Sequence, residues 1–286
     1  MGTVVNLQVV GPDPQASRRA INACLGRMQE LENILSRFKP QSQLSQLNRE
    51  GNLVSVHPAL TGLVNQSLEM SRLTDGAFDI TVKPLLDLYQ ADPGVLPATR
   101  QIEDALRLVG YQKIALSDRA ITFQKNGMSI TLDGIAKGFI VDEGVSVLRE
   151  LGFANIMVEA GGDLIGLGEK APRSSWKIGL QSPRAKMGTL MTTFEIQDQA
   201  IATSGDYMQA FTPDFVNHHI INPHTGHSPA ELASVSIIAP TTVLADGLAT
   251  AVMVMGKSGL QLIEGLSGCE AYAVAKDMTV LKTSGL

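Results

Sequence analysis

Residues 134–163 read GIAKGFIVDEGVSVLRELGFANIMVEAGGD. This stretch decides the fold class. Its first part, residues 134–152, carries a helical pattern and closes at Gly152, a residue suited to ending a helix. Residues 154–160, ANIMVEA, are an almost unbroken apolar run, which predicts a strand buried near the centre of a sheet. Gly161, Gly162 and Asp163 then read either as a tight turn between two strands or as a ligand contact.

Working outward, the helix–strand step is not repeated. Upstream, residues 111–132 look like hairpin material: YQKIAL, a Ser-Asp turn, AITFQ, a Lys-Asn-Gly turn and MSITL. Downstream, WKIGLQSP, TLMTTFEI and ASVSIIAP read as strands, followed by helices near 243–255 and 258–266 and a closing hairpin, AYAVA-KDM-TVLKTS. Nearer the start, residues 3–10 read as a strand and 14–38 as a helix with Cys24 on its apolar stripe. The polar run KPQSQLSQLNREG reads as loop, 58–74 as a helix begun by Pro58, 77–89 as partly helical, and 98–109 as a short helix after an Asp-Pro-Gly loop. There is no βαβ rhythm and no repeat. The expected fold is α+β, or mixed α/β: one compact domain over 1–286 with substantial antiparallel sheet and flanking helices.

The bulk numbers narrow the function. A chain of 286 residues with 44% hydrophobic and 18% charged residues can bury a sizeable core. A net charge of −5 without a basic run argues against nucleic-acid binding. No apolar stretch looks long enough to span a bilayer. The two cysteines, Cys24 and Cys269, lie in no metal-ligand spacing and read as core residues.

Chemistry-bearing residues collect in six segments. In ADGLAT (245–250), Asp246 and Thr250 stand four apart on a probable helix and share a face, so their oxygens can grip one hard cation. The plainer reading is a helix cap for Asp246 and a back-bond to a carbonyl for Thr250. LDGIAKG (132–138) resembles a phosphate cradle, with glycines, a helix N-terminus and Lys137, but lacks both the Walker A and the dinucleotide spacing. A lysine there is equally a solvated one. GAFD (76–79), EAGGD (159–163) and ATSGDY (202–207) interrupt the apolar pattern in the same way. HHIINPHTG (218–226) holds three of the five histidines; the adjacent His218 and His219 point apart, which favours a single general base over a zinc site, against a structural role for either.

Taken in order, these segments resemble the bacterial FAD:protein FMN transferases, the ApbE family. The likeness runs from Met1-Gly-Thr through Ser36-Arg-Phe-Lys-Pro, GAFDITVKPL, LDGIAKGFIVD, NIMVEAGGDLIGLG, AIATSGDY and HHIINPHTG to ADGLATAVMVMG, almost the whole chain. The resemblance implies a Mg²⁺-dependent enzyme that cleaves FAD, places FMN on a Thr or Ser hydroxyl of a partner flavoprotein and releases AMP. It implies that Asp246, Thr250 and the Gly134 carbonyl hold Mg²⁺, that His219 (with His218 as runner-up) takes the acceptor proton, and that Lys137 sits near the phosphates. Met1, Phe38, Ala77, Phe78, Asp79, Thr131, Asp133 and Ile220 would line the FAD site. The resemblance also implies work in the bacterial envelope if a leader has been trimmed, against a cytoplasmic place if Met1 is the true start.

Two positions depart from the family pattern. Many members read Asp-Leu-Gly-Gly-Ile-Ala-Lys-Gly, whereas here the order is Thr131-Leu132-Asp133-Gly134, with the carboxylate two residues along. Either Asp133 meets metal or ribose in another way, or Thr131 takes over the contact. Phe38 stands where Tyr or Trp is frequent, which keeps the stacking surface and loses a polar tip. Two further readings share the same site: an FAD pyrophosphatase and a non-catalytic FAD-binding protein.

Overall fold

The computed structural model describes residues 2–92, 94–185 and 188–286. The chain opens with β1 (Val5–Val10) and α1 (Pro14–Leu35). Asp13 starts α1 by accepting the Gln15 N–H at 2.8 Å, and Pro14 brings a pre-set φ. Next come α2 (Gln43–Glu50), β2 (Asn52–Val54), α3 (Pro58–Leu73), α4 (Lys83–Gln90) and α5 (Thr99–Leu106). The hairpin β3 (Ile114–Ser117) and β4 (Ala120–Phe123) leads to α6 (Ala136–Glu150). Then follow β5 (Asn155–Ala160), β6 (Asp163–Leu167), β7 (Trp176–Gln181), β8 (Leu190–Ile196), β9 (Gln199–Gly205) and β10 (Leu232–Ala239). The chain closes with α7 (Thr242–Met255), α8 (Gly259–Glu264), β11 (Glu270–Ala275) and β12 (Val280–Lys282).

Seven strands form the main sheet in the order β1-β5-β6-β9-β10-β11-β12, and its neighbours pair antiparallel throughout. The strands β2-β4-β3 form a second sheet and β7-β8 a third. The mixed α/β architecture with antiparallel sheet is thus the one the sequence pattern predicts. On one face of the main sheet α7 lies over β9 and β10, and α6 packs between α7 and α1. On the other face Trp176 and Ile196 of the β7–β8 hairpin cover Leu164, Ile201 and Ile238. Gly166 makes this cover possible: a Cβ there would stand 2.8 Å from the Trp176 ring. Each large aliphatic side chain buried in these layers contributes about 1.5–3 kcal/mol.

Several local expectations change. The polar run at 39–51 is not all loop: Ser42 accepts the Ser45 N–H at 3.0 Å and starts α2, which buries Leu44 and Leu47 and ends at Gly51 with φ 70°. The MSITL segment forms no strand, because its backbone bonds to separate partners: Asn48 takes both polar groups of Ile130, and Ile80 accepts the Thr131 N–H. ANIMVEA is not the buried central strand. It lies beside the edge strand β1 and buries alternate residues, whereas β10, covered on both faces, buries all eight. The helix predicted over 14–38 stops at Leu35. The Asp-Pro-Gly loop includes Pro93, which lies outside the described residues.

One stretch, Thr242–Glu264, does reach the length and mean hydropathy (1.3) of a membrane span, contrary to the sequence reading. Its window is 61% buried inside the fold, because it is the core helix under β9 and β10.

Candidate active site

A cavity of about 440 Å³ opens where the first turns of α6, the middle of α7 and the end of β9 meet the loops at 36–38, 77–80 and 219–223. The α7 face supplies Asp246 and Thr250, one helical turn apart. Asp246 is buried, and its Oδ2 accepts the Gly138 N–H at 3.0 Å. The Thr250 hydroxyl bonds Ser204 Oγ at 3.3 Å. Gly134 comes to the same point: a Cβ on it would lie 2.9 Å from Thr250 Oγ1, so only a glycine lets this loop backbone approach. The plainer readings of this pair do not hold. Thr241 is the residue that caps α7, and Asp142 of α6 accepts the Thr242 and Val243 N–H groups at 2.9 and 2.8 Å.

Helix α6 begins at the cavity with no cap from Ile135; its Ala136 and Gly138 N–H groups bond the Leu132 carbonyl and Asp246, so what its start offers the cavity is the positive end of its dipole. Lys137 is not a solvated lysine. Its ammonium stands 2.7 Å from Asp163 and donates to the Gly161 carbonyl at 3.3 Å. Burial pulls its pKa down, but Asp163 and Asp246 outweigh that and leave it raised. Asp163, at the start of β6, follows the left-handed Gly161–Gly162 turn and is buried, which pushes its carboxyl pKa up against the pull of Lys137. Burial, then the neighbouring Asp163, pushes Asp246 up to about 8. Burial thus raises both carboxyl groups, with repulsion from Asp163 added at Asp246, and Lys137 is the ammonium that stands beside them.

The two adjacent histidines part company. His218 is fully buried, with its ring Nε2 3.2 Å from the Pro229 carbonyl, and burial drops its pKa to about 4. It does not line the cavity, so burial takes the runner-up base away from the place where a ligand could reach it. His219 lines the cavity. Its main-chain N–H donates to the Gln209 carbonyl at 3.0 Å, which fixes the segment that carries it, and its ring Nδ1 has no hydrogen-bond partner among the described residues. Burial lowers its pKa, against the Gln209 carbonyl and Asp133, which favours the neutral ring.

Around the mouth, Ala77, Phe78 and Ile220 give an apolar wall, and Phe38 projects with 69% of its surface exposed. Asp79 lines the cavity, but its carboxylate is taken up by Thr81 and by the Tyr111 N–H, so it shapes the wall rather than reaching a ligand. Asp133 pairs with Arg37 at 2.6 Å, and Thr131 accepts the Asp133 N–H at 3.2 Å. Met1 lies outside the described residues; Gly2 and Thr3 line the cavity in its place. The cavity thus brings together Phe38, Ala77, Phe78, Asp79, Thr131, Asp133, Gly134, Lys137, His219, Ile220, Asp246 and Thr250, and of the residues given a site role from the sequence leaves out only His218 among those described. Sequence reasoning missed Asp163 as the partner of Lys137, Ser204 as the partner of Thr250, and Arg37. Each stood in a segment quoted from the sequence, Asp163 in EAGGD, Ser204 in ATSGDY and Arg37 in Ser36-Arg-Phe-Lys-Pro, but no spacing paired it with its partner.

An apolar, aromatic mouth leading to a cationic helix start and buried carboxylates suits a ligand with a flat ring at one end and a charged group at the other. A curated FAD:protein FMN transferase of Vibrio cholerae is 29% identical over 294 residues, covering 100% of this chain and 86% of the relative. One from Salmonella typhimurium is 30% identical over 296 residues, covering 99% and 84%. The crystal structure of the ApbE protein from Thermotoga maritima superposes with a TM-score of 0.86 at 31% identity, over 99% of this chain and 93% of that one. The flavin transferase ApbE from Vibrio cholerae gives 0.84 at 27% identity, over 99% and 94%. The ApbE family model matches residues 1–273, and with these relatives spanning nearly the whole fold, the chain belongs to the ApbE family.

Proposed function

We propose that the chain is a flavin transferase that takes FAD, places its FMN portion on a Thr or Ser hydroxyl of a partner flavoprotein and releases AMP. One observation carries the reading: a single cavity joins the Asp246–Thr250 pair and the α6 N-terminus with Lys137 to His219 and an apolar mouth. The donors at Asp246, Thr250 and Gly134 are hard oxygens, the kind that select Mg²⁺ over softer metals. They also fit by charge, since Asp163 and Asp246 repel each other and a cation at Asp246 would offset that repulsion. Bound there, Mg²⁺ would neutralise charge on the diphosphate of FAD.

The chain's own groups do the rest. Phe38, Phe78 and Ile220 hold the ring end of FAD, and the positive end of the α6 dipole and the Lys137 ammonium receive the phosphates. His219 accepts the proton of the acceptor hydroxyl as its oxygen bonds to the FMN phosphorus. The bond from that phosphorus to the bridging oxygen breaks, and AMP leaves with the electron pair.

The test is incubation with FAD, Mg²⁺ and an acceptor domain that carries a flavinylation threonine, read as a fluorescent band on a denaturing gel. A labelled band supports transfer. FMN and AMP without a labelled protein would make the enzyme a pyrophosphatase, and intact FAD would leave a binding protein. Asp246→Ala should abolish Mg²⁺-dependent turnover; full activity in that variant would overturn the metal assignment.

A further inference from the structure

We propose that Arg37 and Asp133 form a latch that fixes the Phe38 ring as one wall of the flavin subsite, so that Asp133 is a positioning residue and not a metal ligand. The inference rests on the reading of the cavity as an FAD site. Phe38 stands at the mouth with 69% of its surface exposed. An exposed aromatic ring ordinarily samples several rotamers, and ordering it on binding costs affinity. Here the Arg37 guanidinium lies over the ring, 4.1 Å from its centroid. That contact leaves the opposite face of the ring for a ligand.

Arg37 is itself held. Its side chain is only 9% exposed, and its Nε donates to Asp133 Oδ2 at 2.6 Å. The backbone beneath is pinned as well: the Phe38 N–H donates to Ser36 Oγ at 3.3 Å, and Ser45 Oγ donates to the Arg37 carbonyl at 3.3 Å. The pair therefore ties the loop after α1 to the loop before α6, across the cavity mouth. The Asp133 carboxylate is committed to Arg37, while Gly134, next in the chain, is the residue that approaches Thr250. The carboxylate displaced by two positions along the chain has thus become a mouth residue.

The test measures FAD binding without turnover, by quenching of flavin fluorescence in EDTA, for wild type, Arg37→Met, Asp133→Asn and the double variant. A second measurement titrates Mg²⁺ at saturating FAD. Each single variant should weaken FAD several-fold, the double variant should be no worse than the poorer single one, and half-saturating Mg²⁺ should stay where it is in wild type. Wild-type FAD affinity in both single variants would overturn the latch, and so would additive losses. A marked rise in half-saturating Mg²⁺ for Asp133→Asn would return Asp133 to the metal. A wild type that binds no FAD would instead sink the functional reading itself.

Discussion

The Gly138 N–H donates to Asp246 Oδ2 at 3.0 Å, so the first turn of α6 and the second turn of α7 are joined at the floor of the cavity. The two helices touch so closely there that a Cβ on Gly138 would run into the Thr242 carbonyl. Gly138→Ala must push α6 away from α7, and overpacking against backbone typically costs 1–3 kcal/mol. The variant should lose about 2 kcal/mol in urea unfolding and should lose flavin transfer more steeply than fold, because Lys137 moves relative to Asp246. A variant as stable and active as wild type would disprove the close contact.

Removing the Asp163 carboxylate takes away the partner of Lys137. A fully buried broken pair costs about 3–5 kcal/mol. Lys137 keeps 25% of its side chain exposed, so Asp163→Asn should cost on the order of 2 kcal/mol. Thermal unfolding checks this, and an unchanged midpoint would mean that the pair contributes nothing.

His218 gives a stability change with a defined sign. Its pKa falls from 6.5 in the unfolded chain to about 4 in the fold. Between those values the unfolded state binds the extra proton, so this histidine's contribution is fully present above pH 6.5 and drains away as pH falls toward 4, by about 3 kcal/mol in all. The raised pKa values of Asp79, Asp142, Asp163 and Asp246 act in the opposite sense. The measurement is therefore a difference: urea unfolding of wild type against His218→Gln at pH 7 and pH 4.5. Wild type should lose more over that interval, and equal losses would remove His218 from the balance.

His219 should matter for chemistry and little for binding. His219→Ala should slow transfer by about 10²–10⁴-fold, the usual worth of a positioned base, with FAD affinity held within a few-fold. Because burial lowers its pKa, the acidic limb of the rate profile should fall below the ordinary histidine value of 6.5. A limb above that value would assign the proton to another group.

The fold was readable where one period dominates. The apolar spacing of α1 and the continuous apolar runs of β10 and α7 depend on a single buried face or on complete burial, and both leave a mark in sequence. The elements that were not readable depend on partners elsewhere. Helix α2 is mostly polar and buries only Leu44 and Leu47, with Asn48 and Ser45 tying it to backbone outside it, and the strand-like pattern at MSITL is overruled by that same Asn48, about eighty residues earlier in the chain.

The site shows the same division. Asp246, Thr250, Lys137 and His219 stand in motifs, so their membership in one cavity could be anticipated. Their partners could not. Asp163 meets Lys137, Ser204 meets Thr250 and Arg37 meets Asp133 only because separate elements converge, and no spacing along the chain encodes those distances.

β10 has a consequence for how the chain is made. Its eight residues, LASVSIIA, are all buried and uncharged, and their neighbours β9 and β11 lie on opposite sides in the sequence. During synthesis β9 has already emerged, but β11 appears only after the whole of α7 and α8. In that interval β10 presents one open, sticky edge to any similar strand nearby. Nascent or partly unfolded chains should therefore self-associate through Leu232–Ala239, and the last forty or so residues act as the segment that shields it, closing the sheet and ending the hazard in the same step.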